Sequence, residues 1–408
     1  MNDPMNPAAE VQPARLGAGA KAVMVCGGAV VTLALTALSS VLPQIEAALA
    51  HGPADKLLVK MLVSIIGLSM LIGAPLGGYL IDRIGMKRVL LVASLVYGVA
   101  GTAGFYLNSL PPLIASRLVM GSAGAAIATC SMTLINTRLA GNERARWMGM
   151  HVSVYMATGI LVFPAAGYLG EFGWRWPFAL YAIGFLLAAV VALGIHPAMH
   201  APRARAVPVA SAGAVGWFPI RFGVLAFIIG CMTYSTIIYA PFVIRDAGVT
   251  SPTQISLVMM GGTIGAAGLA STYSLVQRHL AMLPLFACSF ALLALGSALT
   301  ALAPHILGIA IGLTVYSFGL AWLVPNLMTS AAQRIDLAYQ GRAVGLLKAC
   351  QYIASPAAAL LLEPVSQRFG PSGAILALTA LATGTLALIG YRTLFGHTRA
   401  GLAYVPGR

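Results

Sequence analysis

Few residues of this 408-residue chain have the power to do chemistry, and the conspicuous ones are cations set inside apolar stretches: Lys60, Arg117 and Lys348. A charge at such a depth costs at least about 2.5 kcal/mol on insertion scales, so each must face a cavity, meet a partner or snorkel to a surface. Snorkelling is the simpler expectation for Lys60, and for Lys348 a snorkelling and an inward-facing position stand even. Together they make the interior positive, which predicts a solute that is anionic or carries an acidic group. The acids are scarcer, ten Asp and Glu in all, and none lies at the middle of an apolar run. Glu46, Glu171 and Glu363 fall near one surface and Asp82 near the other. A membrane-embedded carboxylate is the usual proton carrier, because its surroundings can tune its proton affinity into the working range. Glu46 is the first candidate and Glu363 the second, with an ordinary solvated position as the competing expectation for both. His151 titrates in a suitable range and is equally suited to hydrogen-bonded packing.

Other chemistries find no residues to carry them. The five cysteines, Cys26, Cys130, Cys231, Cys288 and Cys350, sit in apolar stretches without metal-ligand spacing, as packing residues would. The His196 and His200 pair lies in a Pro-rich segment and lacks further ligands, so no metal site is expected. There is no phosphate-cradling Gly-rich loop with Lys-Ser/Thr, and no cluster of nucleophile, base and acid. Neither an enzyme nor a bound cofactor is expected, and a proton gradient is the expected energy source.

The elements that must position these residues follow from composition. Hydrophobic residues make up 59% of the chain and charged ones 8%, against about 25% charged in soluble domains. Apolar stretches long enough to cross about 30 Å of hydrocarbon recur along the chain. They read as twelve spans: 22–42, 57–80, 89–107, 112–136, 147–170 and 175–195, then 218–244, 253–276, 280–303, 306–330, 343–363 and 372–394. The net charge of +14 would suggest nucleic acid in a soluble protein, but here the cations follow the span ends. Arg15, Arg83, Arg88, Arg144, Arg278 and others fall on one side, and only Lys56, Arg175, Arg245 and Arg368 on the other. By the positive-inside rule both termini are cytoplasmic. The expected organisation is a tail (1–21), a six-helix bundle (22–195), a cytoplasmic linker (196–217), a second six-helix bundle (218–394) and a tail (395–408). The bundles also share a signature: Pro164-Ala165-Ala166 is followed by Glu171, and Pro356-Ala357-Ala358 by Glu363, at identical spacing. Either this marks a duplicated unit or it is coincidence in an Ala-rich chain.

The charged turn between the second and third spans carries a family resemblance. Gly78, Leu80, Asp82, Arg83, Gly85, Lys87 and Leu90 match the loop joining helices 2 and 3 of major facilitator superfamily transporters, with Met86 at a place that is usually basic. Leu113-x-x-x-Arg117-x-x-Met120-Gly121-x-x-Gly124 resembles that family's helix 4 motif, and the run from Gly159 to Leu169 resembles a degraded helix 5 signature of its drug and metabolite antiporters. The resemblance implies an all-α integral membrane fold of twelve helices in two pseudo-symmetric six-helix bundles, with the solute path between them. It implies that Asp82 latches the cytoplasmic side against the N-terminus of helix 11 with a nearby Arg, for which Arg138 and Arg342 are candidates. It implies that Arg117 serves coupling, and that helices 1, 4, 7 and 10 line the cavity. Tyr155, Tyr234, Tyr239, Tyr316, Trp322 and Asn326, with Glu46, Arg117 and Lys348, are the candidate lining and coupling residues, although each aromatic taken singly also suits packing. Pro325-Asn326 reads as a break in the tenth span that could permit bending, with a static kink as the simpler expectation.

These features predict a proton-coupled efflux transporter of the bacterial inner membrane, whose partners are a small organic solute, protons and the lipid bilayer, not nucleic acid. Two alternatives stay open: a permease of the same fold importing an organic acid or nutrient, and a non-transporting membrane assembly factor built on the fold.

Overall fold

The computed structural model describes residues 17–194, 220–333 and 340–395, with backbone alone at 332, 340–342 and 389–395. The 196–217 linker with His196 and His200, most of both tails, and the side chain of Arg342 lie outside the described residues. Within them the chain is helical, with no strand. The first half runs through α1 (Ala18–Thr36), α2 (Leu42–Leu49), α3 (Pro53–Ile84), α4 (Met86–Gly101), α5 (Leu110–Arg138), α6 (Gly141–Glu171) and α7 (Ile183–Gly194). The second runs through α8 (Ile220–Asp246), α9 (Pro252–Ala270), α10 (Tyr273–His279), α11 (Met282–Leu302), α12 (Ile306–Ala332) and α13 (Gln340–Phe395).

These helices account for twelve crossings. The first predicted span is α1 and α2, interrupted by a 3₁₀ turn at Ser39–Val41, where the hydroxyls of Thr36 and Ser39 bond back to the carbonyls of Thr32 and Thr36 and Pro43 enters the next turn. The eleventh and twelfth are the arms of α13, which Gly370 breaks with φ of 76°. Several helices overrun the predicted spans; α3 continues from Pro53 to Ile84 because hydrogen bonding persists past the apolar run until Gly85, at φ 84°, turns the chain into α4. The break expected at Pro325 is absent, since α12 runs through it as one helix. Large apolar side chains such as Leu161, Leu186, Leu193 and Leu307 stand exposed on the bundle surface, where lipid would cover them.

The two halves meet through α3 against α13, α6 against α9, and α2 with its preceding 3₁₀ turn against α8 and α9. These contacts lie toward one end. A side chain at Gly67 of α3 would collide with Ser355 and the Tyr352 carbonyl of α13, whereas Gly78, about three turns along the same stripe, faces open space. On α6, Gly167 and Gly170 are pressed against Ser256 and Pro252 of α9, while Gly149, about five turns away on the face of Gly167, has nothing near it. The halves therefore close at the end away from the N-terminus and splay at the end that carries Arg83, Arg88, Arg144 and Arg146.

Candidate central site and outer closure

On α13, Lys348, Tyr352, Ser355, Ala359 and Glu363 recur at three- and four-residue spacing and so form one stripe. Ser355 Oγ donates to the carbonyl of Ser64 at 2.9 Å, which fixes the stripe against α3. Lys348 lies about 10 Å nearer the open end, where α3 has drawn away, and it is exposed. No ion pair or hydrogen bond holds it among the described residues. One turn deeper, Tyr352 stands close enough to Tyr155 of α6 and Tyr234 of α8 for the three to interact electrostatically. An ammonium below a cluster of tyrosines, in a space open to one end, can bind an anion carrying an apolar body. Sequence reasoning named Lys348, Tyr155 and Tyr234 but missed Tyr352, whose signal was its position one turn on from Lys348.

The closed end is fastened by charges crossing between the halves. Lys60 Nζ lies 2.5 Å from Glu363 Oε2, and both side chains are only 4% exposed. Tyr239 also donates to Glu363 at 3.4 Å, Gln367 donates to its other oxygen at 3.2 Å, and Lys60 sits 5.2 Å from the ring centres of both Tyr239 and Phe242. On the other face of the mouth Arg245 of α8 pairs with Glu46 of α2 at 3.6 Å. Glu171, ending α6, accepts from Ser251 Oγ at 2.5 Å and from the Thr253 amide at 3.2 Å, capping the start of α9.

Several expectations change. Lys60 does not snorkel, and Glu363 is no solvated end residue, because each neutralises the other in a buried pair. Glu46 is neither a solvated end residue nor a carboxylate at the centre; it is engaged by Arg245. Arg117 is completely buried within the first half, donating to the carbonyls of Gly101 at 2.6 Å and Ala100 at 3.2 Å, with its guanidinium 4.8 and 4.7 Å from the ring centres of Phe178 and Tyr181. It faces neither the surface nor the space between the halves. The small residues beyond it do admit close neighbours, as Gly121 meets Ser69 of α3.

The aromatics of α12 are committed to packing. Tyr316 donates to the carbonyl of Met232 at 2.8 Å, Trp322 to that of Leu269 at 3.2 Å, and Asn326 to that of Met282 at 3.0 Å. Tyr239 belongs to the closed end, not to a central pocket. His151 packs too, its Nδ1 2.8 Å from the carbonyl of Met24, and Cys288, expected in packing, is exposed. At the charged turn Asp82 is exposed, Arg83 lies over Tyr79 with 5.2 Å to the ring centre, and Lys87 donates to the carbonyl of Ala192 at 3.1 Å. Arg138 closes α5, half-buried.

Comparison with known proteins agrees with this architecture. Residues 24–359 match the family model of the Major Facilitator Superfamily. Multidrug resistance protein MdtM of Escherichia coli O157:H7 is 23% identical over 61% of this chain and 64% of its own. Multidrug resistance protein 2 of Bacillus subtilis is 28% identical over 33% of this chain and 34% of its own. The matched region spans 24% of the length of another relative, solute carrier family 22 member 6 of Mus musculus, at 30% identity. The fold is shared with a D-xylose-proton symporter, with a TM-score of 0.75 and 15% identity over 91% of this chain and 96% of the other. Such matches place the chain among transporters of small solutes and not among enzymes; it belongs to the major facilitator superfamily.

Proposed function

We propose that this chain exports a small organic anion across a bacterial inner membrane by alternating access, driven by the proton gradient. The observation that carries this reading is Lys348, an exposed ammonium with no ion-pair partner among the described residues, inside the gap between the halves and beside the Tyr155, Tyr234 and Tyr352 cluster. A cation held there without a counter-charge is best satisfied by a ligand's carboxylate or comparable anion, and the tyrosines offer hydrogen bonds and ring faces to the remainder. The gap opens at the end rich in arginine, which the positive-inside rule makes cytoplasmic, so solute would load from inside. The two multidrug resistance relatives support export. Proton drive is the energy source consistent with a sequence that has no nucleotide-binding loop. Asp82, with Arg138 and Arg342, is the proposed inner latch, to be made when the halves rock the other way.

The test is uptake into proteoliposomes of a panel of acidic, neutral and cationic organic solutes, with and without an imposed pH gradient. Gradient-driven movement of acids, lost in Lys348→Met and kept in Lys348→Arg, is the expected result. Movement indifferent to the gradient would remove proton coupling, and undiminished transport of every acid by Lys348→Met would remove the anion site.

A further inference from the structure

The second half contains a cavity of about 410 Å³ that is separate from the gap between the halves. It lies among the start of α8, the start of α11, the end of α12 and the arm of α13 that follows Gly370. All these walls belong to one half, so the cavity offers no way across the membrane. Its α8 wall runs from Arg221 through Leu225 to Ile228, about 10 Å of helix, against roughly 15 Å for the hydrocarbon of one leaflet. In the first half the corresponding corner is shut. Gly19 of α1 sits so close to Gly194 of α7 that an added methyl group would lie 2.6 Å from it.

The lining suits a hydrocarbon chain. Its hydroxyls are already engaged, since Ser330 Oγ donates to Met282 Sδ at 3.3 Å and Thr385 Oγ1 to the carbonyl of Leu381 at 2.7 Å. Apart from Arg221, the other described lining residues are apolar. Three of them, Val224, Leu283 and Leu388, are 53%, 42% and 55% exposed on the bundle surface, so the cavity opens toward acyl chains.

One end of the cavity is positively charged. Arg221 is exposed, with its guanidinium 5.7 Å from the ring centre of Phe222, and Arg278 ends α10 four residues before Met282. Among the described residues neither arginine has an ion-pair partner. The described acids of the second half are Asp246 and Glu363, both at the closed end. Asp246 lies roughly 38 Å along α8 from Arg221.

We infer that this cavity is a resident-lipid site, which takes one acyl chain of an anionic phospholipid from the arginine-side leaflet and sets the lipid's phosphate on Arg221. By the positive-inside rule that leaflet is the cytoplasmic one. An acyl chain gains little by leaving one hydrocarbon for another, so the choice among lipids rests with the head group. A head of net negative charge is the one that Arg221 and Arg278 favour. With every wall on one half, the lipid is a fixed part of that half and not cargo. The inference depends neither on the direction of transport nor on the anion site at Lys348.

The test is photo-cross-linking of the full chain in phosphatidylcholine nanodiscs, using phosphatidylglycerol with a diazirine on one acyl chain, followed by peptide mapping. Labelling should saturate and fall on α8 between Val224 and Ile228 and on α11 between Leu283 and Phe286. Unlabelled phosphatidylglycerol should compete, and oleate and inorganic phosphate should compete at least about fivefold less well. Arg221→Gln, a change at an exposed position, should raise the half-saturating phosphatidylglycerol content about fivefold, the effect of one arginine near an anionic surface. It should leave labelling by bulk lipid around exposed Leu193 unchanged. Thr385→Trp, which fills the cavity, should abolish the saturable labelling. Labelling that does not exceed that at Leu193, that is indifferent to Arg221→Gln, or that a phosphatidylcholine probe reproduces would overturn the site. Equal competition by oleate would assign the cavity to free fatty acids, and a disulfide between Trp217→Cys and Leu283→Cys in place of lipid labelling would assign it to the chain's own 195–219 segment; either result overturns the phospholipid.

Discussion

Gly67 offers a quantitative test of how the halves close. Replacing it by Ala places a methyl group 2.6 Å from the Tyr352 carbonyl and against the Ser355 side chain. Backbone oxygen has little room to yield, so the α3–α13 contact must part slightly, straining the Ser355–Ser64 hydrogen bond at 2.9 Å. Overpacking of this kind costs about 1–3 kcal/mol. The outer-open form, in which the helices separate, bears none of that cost, so the equilibrium should move toward it by about thirtyfold for a cost of about 2 kcal/mol. Gly78 on the same stripe is the internal control: its methyl would meet nothing in this state. The assay is labelling of Ser256→Cys by a membrane-impermeant thiol reagent added to the closed side, in a background without native cysteines. Ser256 is fully buried between α9 and α6, on the other side of the mouth from Gly67, so it reports opening of the whole end and not local disturbance. Gly67→Ala should raise its labelling rate at least fivefold, and Gly78→Ala should not raise it. An unaltered rate in Gly67→Ala would refute the assignment of this contact to the closure.

Three further outcomes follow from the geometry. Lys348→Met should raise the KM for transported carboxylates by about tenfold or more, as expected for loss of a charge-assisted hydrogen bond, with Lys348→Arg within a few-fold of the parent in the uptake assay. Arg117→Lys cannot reproduce the guanidinium's contacts with the Phe178 and Tyr181 rings while bonding two carbonyls, so it should cost about 2 kcal/mol, read as a lower thermal midpoint in detergent, while the KM of the protein that remains folded stays unchanged; a parent-like midpoint would contradict the packing assigned to Arg117. Tyr316→Phe removes one helix–helix hydrogen bond worth about 0.6 kcal/mol in a membrane protein. It should leave KM unaltered, and a large rise would return Tyr316 to the solute path.

The number of crossings, their approximate ends and the side that carries the arginines were legible because hydropathy and charge act locally along the chain. The duplicated Pro-Ala-Ala-x-x-x-x-Glu was legible as a pattern, but its purpose was not. Lys60 and Glu363 are 303 positions apart, and no spacing rule pairs an amine on one half with an acid on the other. Arg117 was recognisable as a charge in need of partners; the partners are main-chain carbonyls and aromatic rings, which leave no distinctive trace in sequence. Tyr316, Trp322 and Asn326 looked like pocket residues because composition does not reveal the face a helix presents. The carbonyls of neighbouring helices claim all three, whereas Tyr352 and Lys348 face the gap because α3 draws away along its length.

The break at Gly370 has a mechanical consequence. No loop separates the two arms of α13, so there is no slack between them. One arm carries Glu363 and the outer closure; the other shows Leu376, Leu381 and Leu388 on the outside of the bundle, where acyl chains would lie. The rocking proposed for the first arm would therefore reach the second as a change of tilt, and the bilayer would have to adjust to the altered hydrophobic length. Under the alternating access proposed above, membrane thickness would load the conformational cycle directly, and lipid chain length would join the solute as a control on turnover.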